Sequence, residues 1–144
     1  MPRDEWRHTF LNQAAAILYQ RDRHLIVEGQ ERAAASKLAC HLRDVLEADG
    51  FTHRFPDVRV DVEYTQDGDD SKRATDGSAV VPDIIVHVPG KRGPNIAVVE
   101  VKGWWNRDDT KDREKLLGYL ANQGYAFAYF MRIGKEHETI TPFE

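Results

Sequence analysis

Between Ile96 and Lys102 the chain reads Ile-Ala-Val-Val-Glu-Val-Lys. A run this apolar predicts a strand buried on both faces, toward the middle of a sheet. Its last three residues break the pattern. Side chains two apart on a strand share a face, so Glu100 and Lys102 project together after Ile96 and Val98, while Val101 points to the other side. A stripe that turns from apolar to carboxylate and then to ammonium is not explained by packing, because burying unpaired charge is costly. Any fold open to this chain has to supply a partner for those charges.

The preceding strand offers one. Ala79 to Val88 is rich in Val and Ile, and Pro89-Gly90 and Gly93-Pro94 punctuate the gap before Ile96, which favours an antiparallel hairpin. Asp83, after Pro82, then lies beside Glu100, and cross-strand neighbours stand about 5 Å apart. Two carboxylates that close repel unless one is protonated or a cation bridges them. Ligation by two carboxylates, a backbone carbonyl and waters suits Mg²⁺ or Mn²⁺ rather than zinc. The ammonium of Lys102 would sit beside such an ion, placed to orient or help deprotonate a water, or to stabilise charge on a phosphate.

Two helical stretches come first. From Asp4 to Arg21, residues Trp6, Phe10, Ala14, Ile17 and Leu18 recur at three- and four-residue spacing, which predicts one apolar helical face with Asp4 as N-cap. From Glu28 to Ala48, residues Ala34, Ala35, Leu38, Leu42, Val45 and Leu46 repeat the logic, and Gly50 supplies the stop. Glu31 lies on that second stripe at the helix's first turn, so its carboxylate faces the core and needs a partner; a metal held by Asp83 and Glu100 would be one. Glu28 competes for this role. The period then changes to two at Val58, Val60, Val62 and Tyr64, a strand with one buried face. Beyond Lys102, Asp108 to Gln123 returns to helical spacing through Leu116, Leu117 and Leu120, and Tyr125 to Ile133 reads as a last strand. The expected order is helix, helix, three strands, helix, strand: an α/β fold whose mixed four-stranded sheet is flanked by helices.

The array of Pro82-Asp83, then Glu100-Val101-Lys102 after a hairpin, with a helix carrying Glu31 before it and a helix and strand after it, resembles the PD-(D/E)xK nuclease superfamily and its restriction-endonuclease-like core. The resemblance spans roughly residues 28–133 and extends to local text such as Gln30-Glu31-Arg32, Val62-Glu63-Tyr64 and Val81-Pro82-Asp83-Ile84-Ile85-Val86-His87. It implies a Mg²⁺- or Mn²⁺-dependent endonuclease acting on nucleic acid, DNA before RNA. Asp83, Glu100 and the Val101 carbonyl would be metal ligands, Lys102 the catalytic lysine and Glu31 the accessory carboxylate. The helix after the motif often contributes a further polar group to such sites, and Lys111 and Lys115, four residues apart, are the groups on offer. The Gly103-Trp104-Trp105-Asn106 segment is bulkier than the short polar stretch expected there. The superfamily also includes proteins that bind without cutting, so a catalytically silent nucleic-acid binder or a subunit of a larger assembly is the alternative reading.

Composition narrows the rest. One domain accounts for 144 residues, with 4–21 as an addition to the 28–133 core. No apolar run approaches the roughly 20 residues that cross a bilayer, and Met1 to Phe10 is too polar for a signal peptide, so no membrane partner and a cytoplasmic location are expected. A net charge of −4 gives no overall basic footprint, so phosphate binding would rest on local cations or on metal. Lys72-Arg73 and Lys91-Arg92 are candidate phosphate contacts on two loops. Trp104 and Trp105 could stack unpaired bases, or one could cap the core while the other meets a partner subunit in a homo-oligomer. The lone Cys40 excludes an intrachain disulfide and reads as a buried small hydrophobe. His87 reads as a partly buried histidine with an ordinary hydrogen bond, and His8, His24, His41, His53 and His137 show no metal spacing.

Overall fold

The first helical run buries Trp6, Phe10, Leu11, Ala14, Ala15, Leu18 and Tyr19, a pattern that repeats every four residues. An α-helix turns every 3.6 residues, so a four-residue repeat drifts around it. The computed structural model describes residues 2–62, 72–73, 79–80, 83–89, 94–108, 110–122 and 124–143, and it shows how the drift is absorbed. Between α1 (Arg3–Trp6) and α2 (Asn12–Arg21) the chain winds through a π-helical stretch, Arg7–Leu11. Its wider turn keeps the apolar side chains facing inward. Pro2 rather than Asp4 is the N-cap; Asp4 lies in the first turn and pairs with Arg7 at 3.5 Å.

A short helix α3 (Arg23–Val27) follows, and Gly29 at φ 70° turns the chain before α4 (Glu31–Asp49) starts. The second long helix therefore begins at Glu31 rather than Glu28. It ends at Gly50, as expected, with that glycine left-handed at φ 84°, and α5 (Phe51–Arg54) continues from it. Cys40 corrects an expectation: it is exposed, because the buried face of α4 runs through Leu38, Ala39, His41 and Leu42 on either side of it.

The strands are β1 (Arg59–Val62), β2 (Lys72–Arg73), β3 (Ala79–Val80), β4 (Ile84–His87) and β5 (Asn95–Gly103), then α6 (Thr110–Asn122), β6 (Phe127–Ile133) and β7 (Glu138–Phe143). Five of them form one mixed sheet in the order β1-β4-β5-β6-β7, with β5 and β6 parallel and the other neighbours antiparallel. The fifth strand, β7, was not expected; its β-prone text is Thr139-Ile140-Thr141 and Phe143, broken by Pro142, and only Ile140 is buried. The expected strand Ala79–Val88 is two pieces, β3 paired with β2 in a separate ribbon and β4 in the main sheet. On the edge strand β1 the alternation fades outward: Val58 just before it is buried, Val60 is half-buried and Val62 is 39% exposed.

The sheet is covered on both faces. Helix α1, the π-helical stretch and α4 pack on one through Trp6, Phe10, Leu38 and Leu42 against Val99 and Val101, with Trp6 stacked 5.7 Å from Phe127 and 5.9 Å from Tyr129. Helix α6 covers the other, where Leu116 and Tyr119 meet Ile85, Val98, Ala128 and Phe130. Of the leucines expected to form the inward face of α6, Leu116 is buried but Leu117 is 46% exposed; the buried face instead runs Asp112, Leu116, Tyr119. Among the described residues no helix is long and apolar enough to cross a membrane.

Candidate metal centre

Antiparallel pairing of Ile84 with Val99 and Ile85 with Val98 sets the register of β4 and β5. One step further out, Asp83 and Glu100 fall opposite each other, as the hairpin reading required. The Asp83 carboxylate accepts a 2.7 Å hydrogen bond through Oδ2 from the Val101 backbone N–H. Glu100 shares the face of Val98 and points beneath α6, where it is 0% exposed. Its Oε2 accepts a 3.1 Å bond from Lys115 Nζ, while Oε1 has no hydrogen-bond partner.

Helix α6 brings a third carboxylate that the sequence reading missed. Asp112, 6% exposed, forms an ion pair with Lys102, whose Nζ lies 2.9 Å from Oδ2. One oxygen each from Asp83, Glu100 and Asp112 lie within 4.8 Å of one another. Two oxygens on opposite sides of Mg²⁺ stand about 4.2 Å apart, and of Ca²⁺ about 4.6–5.2 Å, so a hard dication fits with small side-chain adjustment. The start of α6 is fixed by Asp108, whose Oδ1 accepts the Thr110 N–H at 3.2 Å. That bond holds the Asp108 carboxyl below its usual range.

The electrostatics follow from burial. Desolvation, then the facing Asp83, pushes the Glu100 carboxyl well above the carboxylate range, against the pull of Lys115. Burial works against the charge of both lysines, yet Glu100, Asp83 and Asp112 outweigh it at Lys115, and Asp112, Glu31 and Asp83 do so at Lys102, so both ammonium groups are held more firmly protonated than usual. The Tyr119 hydroxyl is likewise pushed up, first by burial and then by Glu100. Three carboxyl groups thus face two ammonium groups, and Glu100 is the one that burial pushes toward its protonated form.

Glu31 is not one of the three. Its Oε1 accepts the Gly103 N–H at 2.8 Å, tying the first turn of α4 to the end of β5. With Arg32, Ala35, Ser36, Val62, Asp83 and Val101 it lines a cavity of about 300 Å³. Asp83 therefore belongs to both places. Of the helix lysines, Lys115 joins the site and Lys111 is exposed.

Trp104 and Trp105 are half-buried and occupied locally. The Trp104 indole N–H donates to the Ile26 carbonyl at 3.2 Å, and Lys135 Nζ lies 4.3 Å from its ring centre. The two indoles meet edge to face at 5.7 Å, and the Trp105 ring covers Gly103 so closely that a Cβ there would come within 2.3 Å of it. Pro82, Lys91 and Arg92 lie outside the described residues, as do the side chains of Lys72 and Arg73. His87 is buried with Nε2 2.7 Å from Asp61 Oδ2, the ordinary hydrogen bond expected of it.

Asp112 and Tyr119 are the residues sequence reasoning passed over. The signal was present: Asp112, Leu116 and Tyr119 sit at i, i+4 and i+7, one helical face, and a carboxylate heading such a stripe needs a partner as much as Glu100 does. Compared with family models, curated proteins and solved structures, the chain gives no match.

Proposed function

We propose that this chain is a divalent-metal-dependent phosphodiesterase acting on nucleic acid, DNA before RNA, in keeping with its resemblance to the PD-(D/E)xK nucleases. The observation that carries the reading is the convergence of Asp83, Glu100 and Asp112, one oxygen each within 4.8 Å of the others, together with a fully buried Glu100 oxygen that has no hydrogen-bond partner. An acidic cluster alone is commonplace; a buried carboxyl oxygen without a partner costs free energy unless a cation or a proton satisfies it.

Asp83, Glu100 and Asp112 would hold Mg²⁺ or Mn²⁺, with the Val101 carbonyl as a backbone candidate. Such an ion supplies Lewis-acid stabilisation of phosphate charge and a more acidic water. Asp83 fixes the site's geometry through the Val101 N–H, and Glu31 fixes its edge through the Gly103 N–H. Lys102, on the face of Glu100 at the strand's end, presents an ammonium that can orient a water and stabilise charge on a phosphate oxygen. No covalent enzyme intermediate is needed.

The test is cleavage of plasmid and single-stranded DNA with Mg²⁺ or Mn²⁺ by wild type, Asp83→Ala and Lys102→Ala. Activity in the wild type and its loss in both variants is expected; equal cleavage by all three assigns it to contamination. A second reading is favoured by the two lysines that already pair with Glu100 and Asp112. On that reading the cluster is a structural ion-pair network in a protein that binds nucleic acid or a partner without cutting. Failure to take up millimolar Mn²⁺ in a calorimetric titration would favour it.

A further inference from the structure

Two ammonium groups stand in the place where the proposed function needs a dication. Lys115 donates to Glu100 Oε2 at 3.1 Å, and Lys102 lies 2.9 Å from Asp112 Oδ2. A carboxyl as deeply buried as Glu100 is ionised only where a cation meets it and otherwise keeps its proton, so the ionised form that metal would bind needs a partner. Lys115 fills that need incompletely. It reaches one oxygen of Glu100 and leaves the other without a hydrogen bond.

The lysines come from different elements. Lys102 is carried on β5 with its side chain 15% exposed, whereas Lys115 approaches from α6 with its side chain 24% exposed and is the one that meets Glu100. Its four-carbon stem is flexible enough to swing the ammonium outward without moving the helix. A dication sharing the pocket with both ammonium groups would be repelled by each, so one has to withdraw.

We propose that Lys115 is an internal placeholder for the divalent ion: its ammonium holds Glu100 until metal enters, and loading proceeds by exchange for that ammonium. This rests on the metal-centre reading above. Metal affinity is then lowered by the competition with Lys115, and the released ammonium becomes more exposed.

Calorimetric titration of the full chain with Mn²⁺ tests this, comparing wild type with Lys115→Gln and Lys115→Met, alongside amine labelling of the wild type read by mass spectrometry. Removing the competing charge is expected to tighten Mn²⁺ binding roughly tenfold, the effect of about 1.4 kcal/mol. Saturating Mn²⁺ is expected to raise the labelling of Lys115 several-fold relative to exposed Lys111. Binding by the variants alone would also support the exchange. If wild type binds Mn²⁺ and both variants bind equally or more weakly, the placeholder idea fails and the metal centre stands. If no form binds, both fail. Should the variants not fold, labelling of the wild type decides: Lys115 protection unchanged at saturating Mn²⁺ overturns the proposal.

Discussion

Asp83 Oδ2 accepts its 2.7 Å hydrogen bond from the peptide N–H that joins Glu100 to Val101, so the side chain just ahead of β4 fastens the backbone beneath the carboxylate it faces. One residue therefore has two separable tasks, holding β5 in place and offering an oxygen to a cation.

Asp83→Asn and Asp83→Ala separate those tasks. Asparagine keeps an acceptor for the Val101 N–H but loses the charge; alanine loses both. Hydrogen bonds to charged groups contribute about 1.5–3 kcal/mol. Asp83→Ala is expected to lower the urea midpoint by that order, Asp83→Asn by much less, and both to abolish Mn²⁺ uptake and cleavage. Asparagine as damaging to stability as alanine would show that the bond to Val101 matters little.

Asp112→Asn and Glu31→Gln distinguish the two carboxylates that could complete the site. Asp112 lies within reach of Asp83 and Glu100, while the Glu31 oxygen is engaged by Gly103. Asp112→Asn is expected to weaken Mn²⁺ binding by roughly tenfold or more, as loss of an ionic ligand removes well over 1.4 kcal/mol. Glu31→Gln, which can still accept from Gly103, should leave the affinity nearly unchanged. The reverse ranking in a calorimetric titration would return Glu31 to the metal.

Much of this site was legible in the chain because strands impose a period of two. Once the β4–β5 hairpin is granted, Asp83 must face Glu100, and Glu100 must share a side with Lys102. What escaped was set by helix packing. The leucines at 116, 117 and 120 suggested an apolar face for α6, but sheet contact selects the face of Leu116 and Tyr119, and that rotation carries Asp112 and Lys115 over the carboxylates. Glu31 was placed correctly at the first turn of α4. Its partner, the Gly103 N–H, could not be read, because it depends on how the end of β5 meets a helix far away in sequence. Strand β7 was missed for a related reason: at the sheet's edge it needs few buried residues, so its sequence carries little apolar signal.

Glu100 gives the protein a pH dependence of known sign. Its folded-state pKa is raised, first by burial and then by Asp83, so its contribution to stability is complete below the ordinary carboxylate range and is lost as pH rises through the folded value. In EDTA, the urea midpoint should fall as pH rises from mildly acid toward neutral. Glu100→Gln, which cannot ionise, should flatten that slope. A wild-type midpoint that rises over the same interval, with the same slope in the variant, would place the titration elsewhere.

Gly103 and Trp105 form a close contact that a single methyl tests. A Cβ at position 103 would come within 2.3 Å of the indole, and overpacking of this kind costs about 1–3 kcal/mol or drives the ring away. Gly103→Ala is expected to lower the urea midpoint or to shift tryptophan emission to longer wavelength as Trp105 moves into water. Adding Trp105→Ala should recover part of the loss, a non-additivity expected of residues in contact. Strictly additive effects would mean that the ring is not what occupies that space.

Metal should stabilise the fold through the same three carboxylates. A ligand that binds only the folded chain adds about 2.7 kcal/mol at one hundred times its Kd. Mn²⁺ at that excess should raise the urea midpoint of the wild type accordingly, and EDTA should reverse it. The gain should exceed what one ion pair contributes, because binding also satisfies the Glu100 oxygen that Lys115 leaves open. Asp83→Asn and Asp112→Asn should lose the Mn²⁺ response, while Glu31→Gln keeps it. Since the measurement needs no substrate, it separates a metal centre from a nuclease: stabilisation without cleavage would leave the ion bound and the chemistry unproven, whereas an unchanged midpoint at high Mn²⁺ would identify the lysines as the site's permanent counter-ions.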